Sequence, residues 1–117
     1  MRVGPLKVKA QLFNGDEAAI GPGRALLLEA IAAHGSISAA ARATGISYRK
    51  CWLMVDAMNR LFAAPLVDAA VGGGRSRGAR LTAAGDRALA AFRALEARIA
   101  AVVVAEAATF DAMLRKD

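Results

Sequence analysis

Few residues in this 117-residue chain have both the type and the spacing for covalent chemistry. Asp16-Glu17 is a carboxylate pair, but no nucleophile, base or metal set lies near it in the sequence, so it does not read as a catalytic dyad. One Cys and one His cannot build a Cys/His zinc site, and a single Cys excludes a disulfide framework. Cys51 falls on the apolar side of a predicted helix and reads as a buried hydrophobe, with a redox switch as the alternative. His34 stands at a predicted helix end, as a surface cap or as a contact to the helix dipole or a phosphate. Met54 and Met58 read as core filler, and Trp52 as packing beside its helix or stacking on a base. No polar constellation supports an enzyme, and no cofactor or metal is expected.

Cation chemistry is another matter. The chain carries 16 Lys+Arg against 10 Asp+Glu, a net charge of +6. Between Ser36 and Arg80 lie seven basic residues (Arg42, Arg49, Lys50, Arg60, Arg75, Arg77 and Arg80) opposed by Asp56 and Asp68 alone. That window holds +5 of the +6. A solvated basic face would look the same, but arginine outnumbers lysine 12 to 4, and the guanidinium fork is the better ligand for phosphate and base edges.

The elements that position these cations follow from local signals. Residues 6–13 alternate apolar and polar, as in a half-buried strand, and Asn14-Gly15-Asp16 is a turn. Gly21-Pro22-Gly23 prepares a helix start, Leu26, Leu27, Ala30, Ile31 and Ala33 recur at helical spacing, and Gly35 stops that helix. Ser36 and Ser38 are both candidate N-caps for a short helix over 39–44, ended by Gly45. A helix from Ser47 to about Phe62 has Cys51, Met54, Val55, Met58, Leu61 and Phe62 on one face, and Pro65 forbids its continuation.

Two helices joined around Gly45 have the spacing of a helix-turn-helix. Ala41 is small enough for a close crossing, Gly45 makes the turn, and Ile46 plugs the gap between the helices. The first exposed turn of the second helix presents Ser47, Tyr48, Arg49 and Lys50, a cationic and hydrogen-bond-rich tip suited to the major groove. Ser36 and Ser38 stand at the N-terminus of the preceding helix, where free N–H groups can hold phosphate. Residues 66–71 and 79–82 read as a hairpin around Gly72-Gly73-Gly74-Arg75-Ser76-Arg77-Gly78. A nucleotide-binding loop would precede a helix and end in Lys-Ser/Thr, so a wing fits better, with Arg75, Arg77 and Arg80 reaching phosphate or a minor groove. The predicted fold is therefore mainly α with a small antiparallel sheet: a winged helix-turn-helix over 1–82, then a long helix over 83–117.

That last helix is predicted from Thr82 to Leu114, with an apolar stripe through Leu89, Phe92, Leu95, Ile99, Val102, Val103, Phe110 and Leu114. Roughly 30 residues span about 45 Å, whereas a winged helix of about 80 residues is only some 25 Å across. The far half would expose Ile99, Val102, Val103 and Phe110 unless a partner covers them. A two-fold dimer through Phe92, Leu95, Ile99, Val102, Val103 and Phe110 is the simplest cover. A break near Ala107-Ala108-Thr109, with the tail folding back, is the alternative.

Hydrophobic residues make up 56% of the chain, which excludes disorder, but 30 of them are alanine and only six residues are aromatic, so the core should be aliphatic. No window reads as a transmembrane helix, and the Met1-Arg2-Val3-Gly4-Pro5 start lacks a signal-peptide apolar run, so a cytoplasmic location and no membrane partner are expected.

Gly21-Pro22-Gly23-Arg24, Gly35-Ser36-Ile37-Ser38, Gly45-Ile46-Ser47-Tyr48, Trp52 and Met58-Asn59 resemble the DNA-binding domain of ModE-type molybdenum-responsive regulators. Pro65-Leu66-Val67, the glycine loop and Leu81-Thr82-Ala83-Ala84-Gly85 continue the likeness in order, over roughly residues 7–95. The resemblance implies a LysR-like winged helix whose helix from Ser47 enters the major groove of duplex DNA. It also implies a homodimer held by the N-terminal strand and the last helix. Members of that family carry molybdate-binding modules after the winged helix, and this chain is expected to end before them. Three signals then stay open: none, a separate molybdate-binding protein, or a small effector at the dimer interface. The glycine loop is also more cationic than the family's nearly all-glycine wing. The reading from another class is a helical adaptor that binds a partner protein through the long helix.

Overall fold

The computed structural model describes residues 1–71 and 78–117. Its elements run β1 (Arg2–Val3), β2 (Leu6–Lys7), β3 (Leu12–Asn14), β4 (Glu17–Ile20), α1 (Pro22–His34), α2 (Ile37–Thr44), α3 (Tyr48–Leu61), β5 (Val67–Val71), β6 (Gly78–Leu81) and α4 (Ala83–Met113). Three two-stranded antiparallel sheets, β1-β2, β3-β4 and β5-β6, surround the helices. A mainly α fold with small antiparallel sheets and a long last helix is what the sequence predicts.

The helix boundaries follow from their caps. Pro22 opens α1 at a position where its missing N–H costs nothing, and Gly35 closes it at φ +75°, donating its N–H to Ile31 O. Of the two candidate cap serines, Ser36 is the cap, its hydroxyl accepting from Ala39 N at 3.0 Å, and Ser38 lies inside α2, which starts at Ile37 rather than at residue 39. Gly45 ends α2 in the same left-handed conformation. Ser47 caps α3 by accepting from Lys50 N at 3.1 Å. Thr82 caps α4 by accepting from Gly85 N at 3.0 Å.

The core lies between α1, α2, α3 and the near half of α4. Leu27, Leu28, Ile31, Ile37, Cys51, Val55 and Met58 fill it together with Leu66 and Val67, and Phe92 is its one buried aromatic residue. It is aliphatic, as an alanine-rich chain with six aromatic residues dictates.

Two expectations need correction at the N-terminus. The strand expected over residues 6–13 is two strands in two different hairpins. The first closes around Gly4 (φ +54°), and Val8 N donates to Met1 O at 3.0 Å. The second closes around Gly15 (φ +60°), pairing Asn14 with Glu17. Alternation reports which side of a strand is apolar and is silent about its partner, and between Lys7 and Leu12 the chain changes partners. The first hairpin also corrects the expected exposure of the far half of α4. It packs on that helix, and Val103 is only 1% exposed and Ala107 5%. Helix α4 is unbroken through Ala107-Ala108-Thr109, so the tail does not fold back there.

Candidate nucleic-acid interface

Helices α2 and α3 pack against each other, Ala41 is buried in the core, and Ile46 is packed against it at the corner. Thr44 closes the turn, since its hydroxyl donates to Ala40 O at 2.8 Å and accepts from Ile46 N at 3.2 Å. Behind the corner, Cys51, Met54, Val55 and Met58 are buried in one stripe. The Cys51 thiol points to Ile46 O at 3.9 Å, and burial raises its pKa, which is the opposite of what a reactive thiolate needs.

The opposite side of α3 carries the cations. Ser47, Tyr48, Arg49 and Lys50 are all exposed at its first turn. Among the described residues, neither the Arg49 guanidinium nor the Lys50 ammonium has a side-chain partner. Tyr48 stands edge-on to Trp52, ring centroids 6.3 Å apart, and Trp52 is half-buried against the core, so packing accounts for it. Ser38 is exposed in the first turn of α2 and accepts from Arg42 Nη1 at 3.0 Å. Ser36 is half-buried with its oxygen engaged as a cap, so an anion there would meet backbone N–H groups more than the hydroxyl.

Not every basic residue of the central window is free. Arg60 grips Glu17 through two hydrogen bonds of 3.1 and 2.7 Å, and these bonds, with its charge, hold the Glu17 carboxyl below the ordinary glutamate value. Asn14 Nδ2 donates to Leu61 O at 2.8 Å beside that pair, so β3-β4 clamps the C-terminal end of α3. Glu17 of the Asp16-Glu17 pair is thus half of a structural ion pair. Arg80 sits across the β5-β6 ladder from Asp68, with 3.7 Å between the charged groups. Arg75 and Arg77 lie outside the described residues.

Both strands of the β5-β6 ribbon are tied to the helices. Asn59, on the last turns of α3, accepts at Oδ1 from Leu66 N (2.9 Å) and Val67 N (3.1 Å) and donates from Nδ2 to Val67 O (3.0 Å). Ala79 N donates to Gly35 O at 2.9 Å. Sequence reasoning gave Asn59 no role of its own, because only the returning chain reveals what its amide faces. The ribbon therefore cannot swing freely against α3.

Of the residues expected at a dimer contact, Phe92 and Val103 are buried within the chain itself. Leu95, Val102 and Phe110 are exposed (Val102 by 61%), and Ile99 is half-buried. Two apolar grooves share this side of α4. One of ≈ 390 Å³ is lined by Leu6, Val8, Ile99, Val102 and Phe110 among others. The other, of ≈ 230 Å³, is lined by Leu12, Ile20, Phe62, Ala88, Phe92 and Leu95 among others. No helix among the described residues is long and apolar enough to cross a membrane.

Residues 24–86 match the family model of bacterial regulatory helix-turn-helix proteins of the lysR family. The chain is 53% identical over 83 residues to the molybdenum-pterin-binding protein MopB of Rhodobacter capsulatus, covering 71% of this chain and 31% of that protein. It is 45% identical over 92 residues to MopA of the same organism, covering 79% and 35%. Against the DNA-binding transcriptional dual regulator ModE of Escherichia coli K12 it is 42% identical over 82 residues, covering 70% and 29%. The chain thus spans about a third of the length of these relatives.

Proposed function

This chain belongs to the lysR-type family of bacterial regulatory helix-turn-helix proteins, and from that membership we propose that it is a transcriptional regulator that binds specific duplex DNA as a homodimer. The observation that carries the reading is the tip of α3. Arg49 and Lys50 stand there exposed and, among the described residues, without side-chain partners, beside a serine-capped helix start. An arginine left free at such a tip can fork onto guanine O6 and N7. Ser47, Tyr48, Arg49 and Lys50 read or brace the major groove. Ser36 and Ser38 mark the helix start that meets a phosphate, and Arg75, Arg77 and Arg80 anchor the ribbon to the backbone. Residues 1–82 form the reading unit and residues 83–117 the dimerisation helix.

The dimer reading rests on the exposed apolar side of α4, where Leu95, Val102 and Phe110 face water beside the two grooves. A second copy related by a two-fold axis covers that side and sets two α3 tips against two half-sites. A helical adaptor would use the same surface for a different protein, but it leaves the free cations of α3 without a purpose. The protein works in the cytoplasm, where its DNA is, and does no chemistry on its ligand.

The names of the two Rhodobacter capsulatus relatives carry molybdenum, and from them we infer a regulator of molybdenum-related genes. Three signals stay open for it: none, a separate molybdate-binding protein, or a small effector at the dimer interface. Genomic footprinting with and without molybdate tests this. Protected sites beside molybdate-uptake or molybdoenzyme genes are the expected result. Sites elsewhere would overturn the molybdenum assignment, and no protection anywhere would overturn the DNA-binding reading.

A further inference from the structure

Helix α3 holds one residue that its polar face does not explain. Leu53 is 57% exposed. At 100° per residue it lies about 150° from the middle of the buried stripe formed by Cys51, Met54, Val55 and Met58. It is therefore at the outermost line of the helix, one turn beyond Arg49 (i−4) and Lys50 (i−3). A lone exposed leucine is ordinary on a protein surface. A leucine on the line of a helix that two unpaired cations bring to an anionic partner is not, because docking that helix takes the side chain out of water. It lines neither groove of α4, so the dimer contact does not account for it.

We propose that Leu53 reads thymine by packing its isobutyl group against the C5-methyl in the major groove. This inference rests on the DNA-binding reading above. Within that groove the thymine methyl is the one apolar group on the base edges, so it is the only partner there that leucine prefers to water. The spacing locates the base. Four residues of helix advance about 6 Å, and bases follow one another at about 3.4 Å along a strand. The thymine therefore lies one or two base pairs from the base pair that Arg49 contacts, once in each half-site. Leu53 is thus a specificity determinant of the site, while Arg49 and Lys50 supply most of the attraction.

The test removes the methyl group alone. The full chain selects its preferred duplex from a randomised pool, and each thymine of that duplex is then replaced in turn by uracil. Binding is measured for the wild-type protein and for Leu53→Ala, whose exposed site leaves the fold intact. For the wild type, one uracil position per half-site should weaken binding roughly fourfold, the value of one methyl group returned to water. For Leu53→Ala the same replacement should change binding by less than about 1.5-fold, because the group that felt the methyl is gone. Equal losses for both proteins at every position, or no loss at any, would overturn the role of Leu53 while leaving DNA binding intact. Failure to select any duplex would overturn both, so the two failures are distinguishable.

Discussion

Gly85 and Gly23 both occupy the first turn of a helix, and replacing each by alanine should have opposite effects. Helix propensity and unfolded-state entropy favour alanine at both sites by about 0.4–1 kcal/mol. At Gly23 a Cβ would meet nothing within 4 Å, so Gly23→Ala should realise that gain. At Gly85 it would lie 2.1 Å from Leu66 O and 3.0 Å from Leu66 C. An ordinary carbon–oxygen contact needs about 3.3 Å, so the two backbones must part by more than an ångström. Leu66 has nowhere to go. Its O already accepts from Thr82 N at 2.9 Å, and its N–H is held by Asn59 Oδ1. Overpacking of this kind costs about 1–3 kcal/mol, and parting the strands also loses the Thr82–Leu66 hydrogen bond, about 1 kcal/mol. Less the propensity gain, Gly85→Ala should destabilise the fold by about 1–3.5 kcal/mol, a fall in Tm on the order of 10 °C. Circular-dichroism melts at one fixed protomer concentration would measure it, since the proposed dimerisation would make Tm concentration-dependent. A Gly85→Ala protein that melts at or above the wild type would refute the close approach of α4 to Leu66.

Asn59→Ala should leave Leu66 N, Val67 N and Val67 O unpartnered, at a cost of about 2–3 kcal/mol in urea unfolding with the m-value unchanged; a cost below about 0.5 kcal/mol would mean that the amide does not hold the ribbon. The Cys51 thiol, buried and with its pKa raised, should resist thiol reagents until the protein unfolds, so labelling should track denaturation, and rapid labelling of the native protein would contradict its placement. Glu17 has a folded pKa lowered by Arg60, so its stabilisation is present above its unfolded pKa and is lost as pH falls through the folded one. The Tm difference between wild type and Glu17→Gln should accordingly be largest near neutral pH and vanish in acid. Both groups are exposed, so added salt should shrink it as well. A difference that grows in acid would reverse the sign of the argument.

Features whose cause is local were legible in the sequence. Gly35, Gly45, Ser36 and Ser47 bracket α2 and α3, and each acts through its own backbone conformation or a hydroxyl reaching three residues along. The buried face of α3 was legible for the same reason, since helical spacing alone puts Cys51, Met54, Val55 and Met58 on one side. What escaped depends on chain brought from elsewhere. Residues 6–12 alternate without a break, yet Lys7 pairs with Arg2 and Leu12 with Ile20. Val103 looks exposed on a helix drawn by itself, and it is the hairpin at the other end of the chain that covers it. Arg60 counts toward the basic cluster in the sequence, but Glu17, 43 residues earlier, engages its charge. Arg49 and Lys50, at the first turn of α3, keep their charges without a side-chain partner among the described residues.

The account turns on that turn of α3, and binding of Arg49→Ala to the selected duplex tests it most directly. With the fold unchanged, specific binding should weaken by about 1–3 kcal/mol per lost base contact, while the weaker binding to unrelated duplex persists. An Arg49→Ala protein that binds the selected duplex as tightly as the wild type would contradict the assignment of α3 as the reading helix.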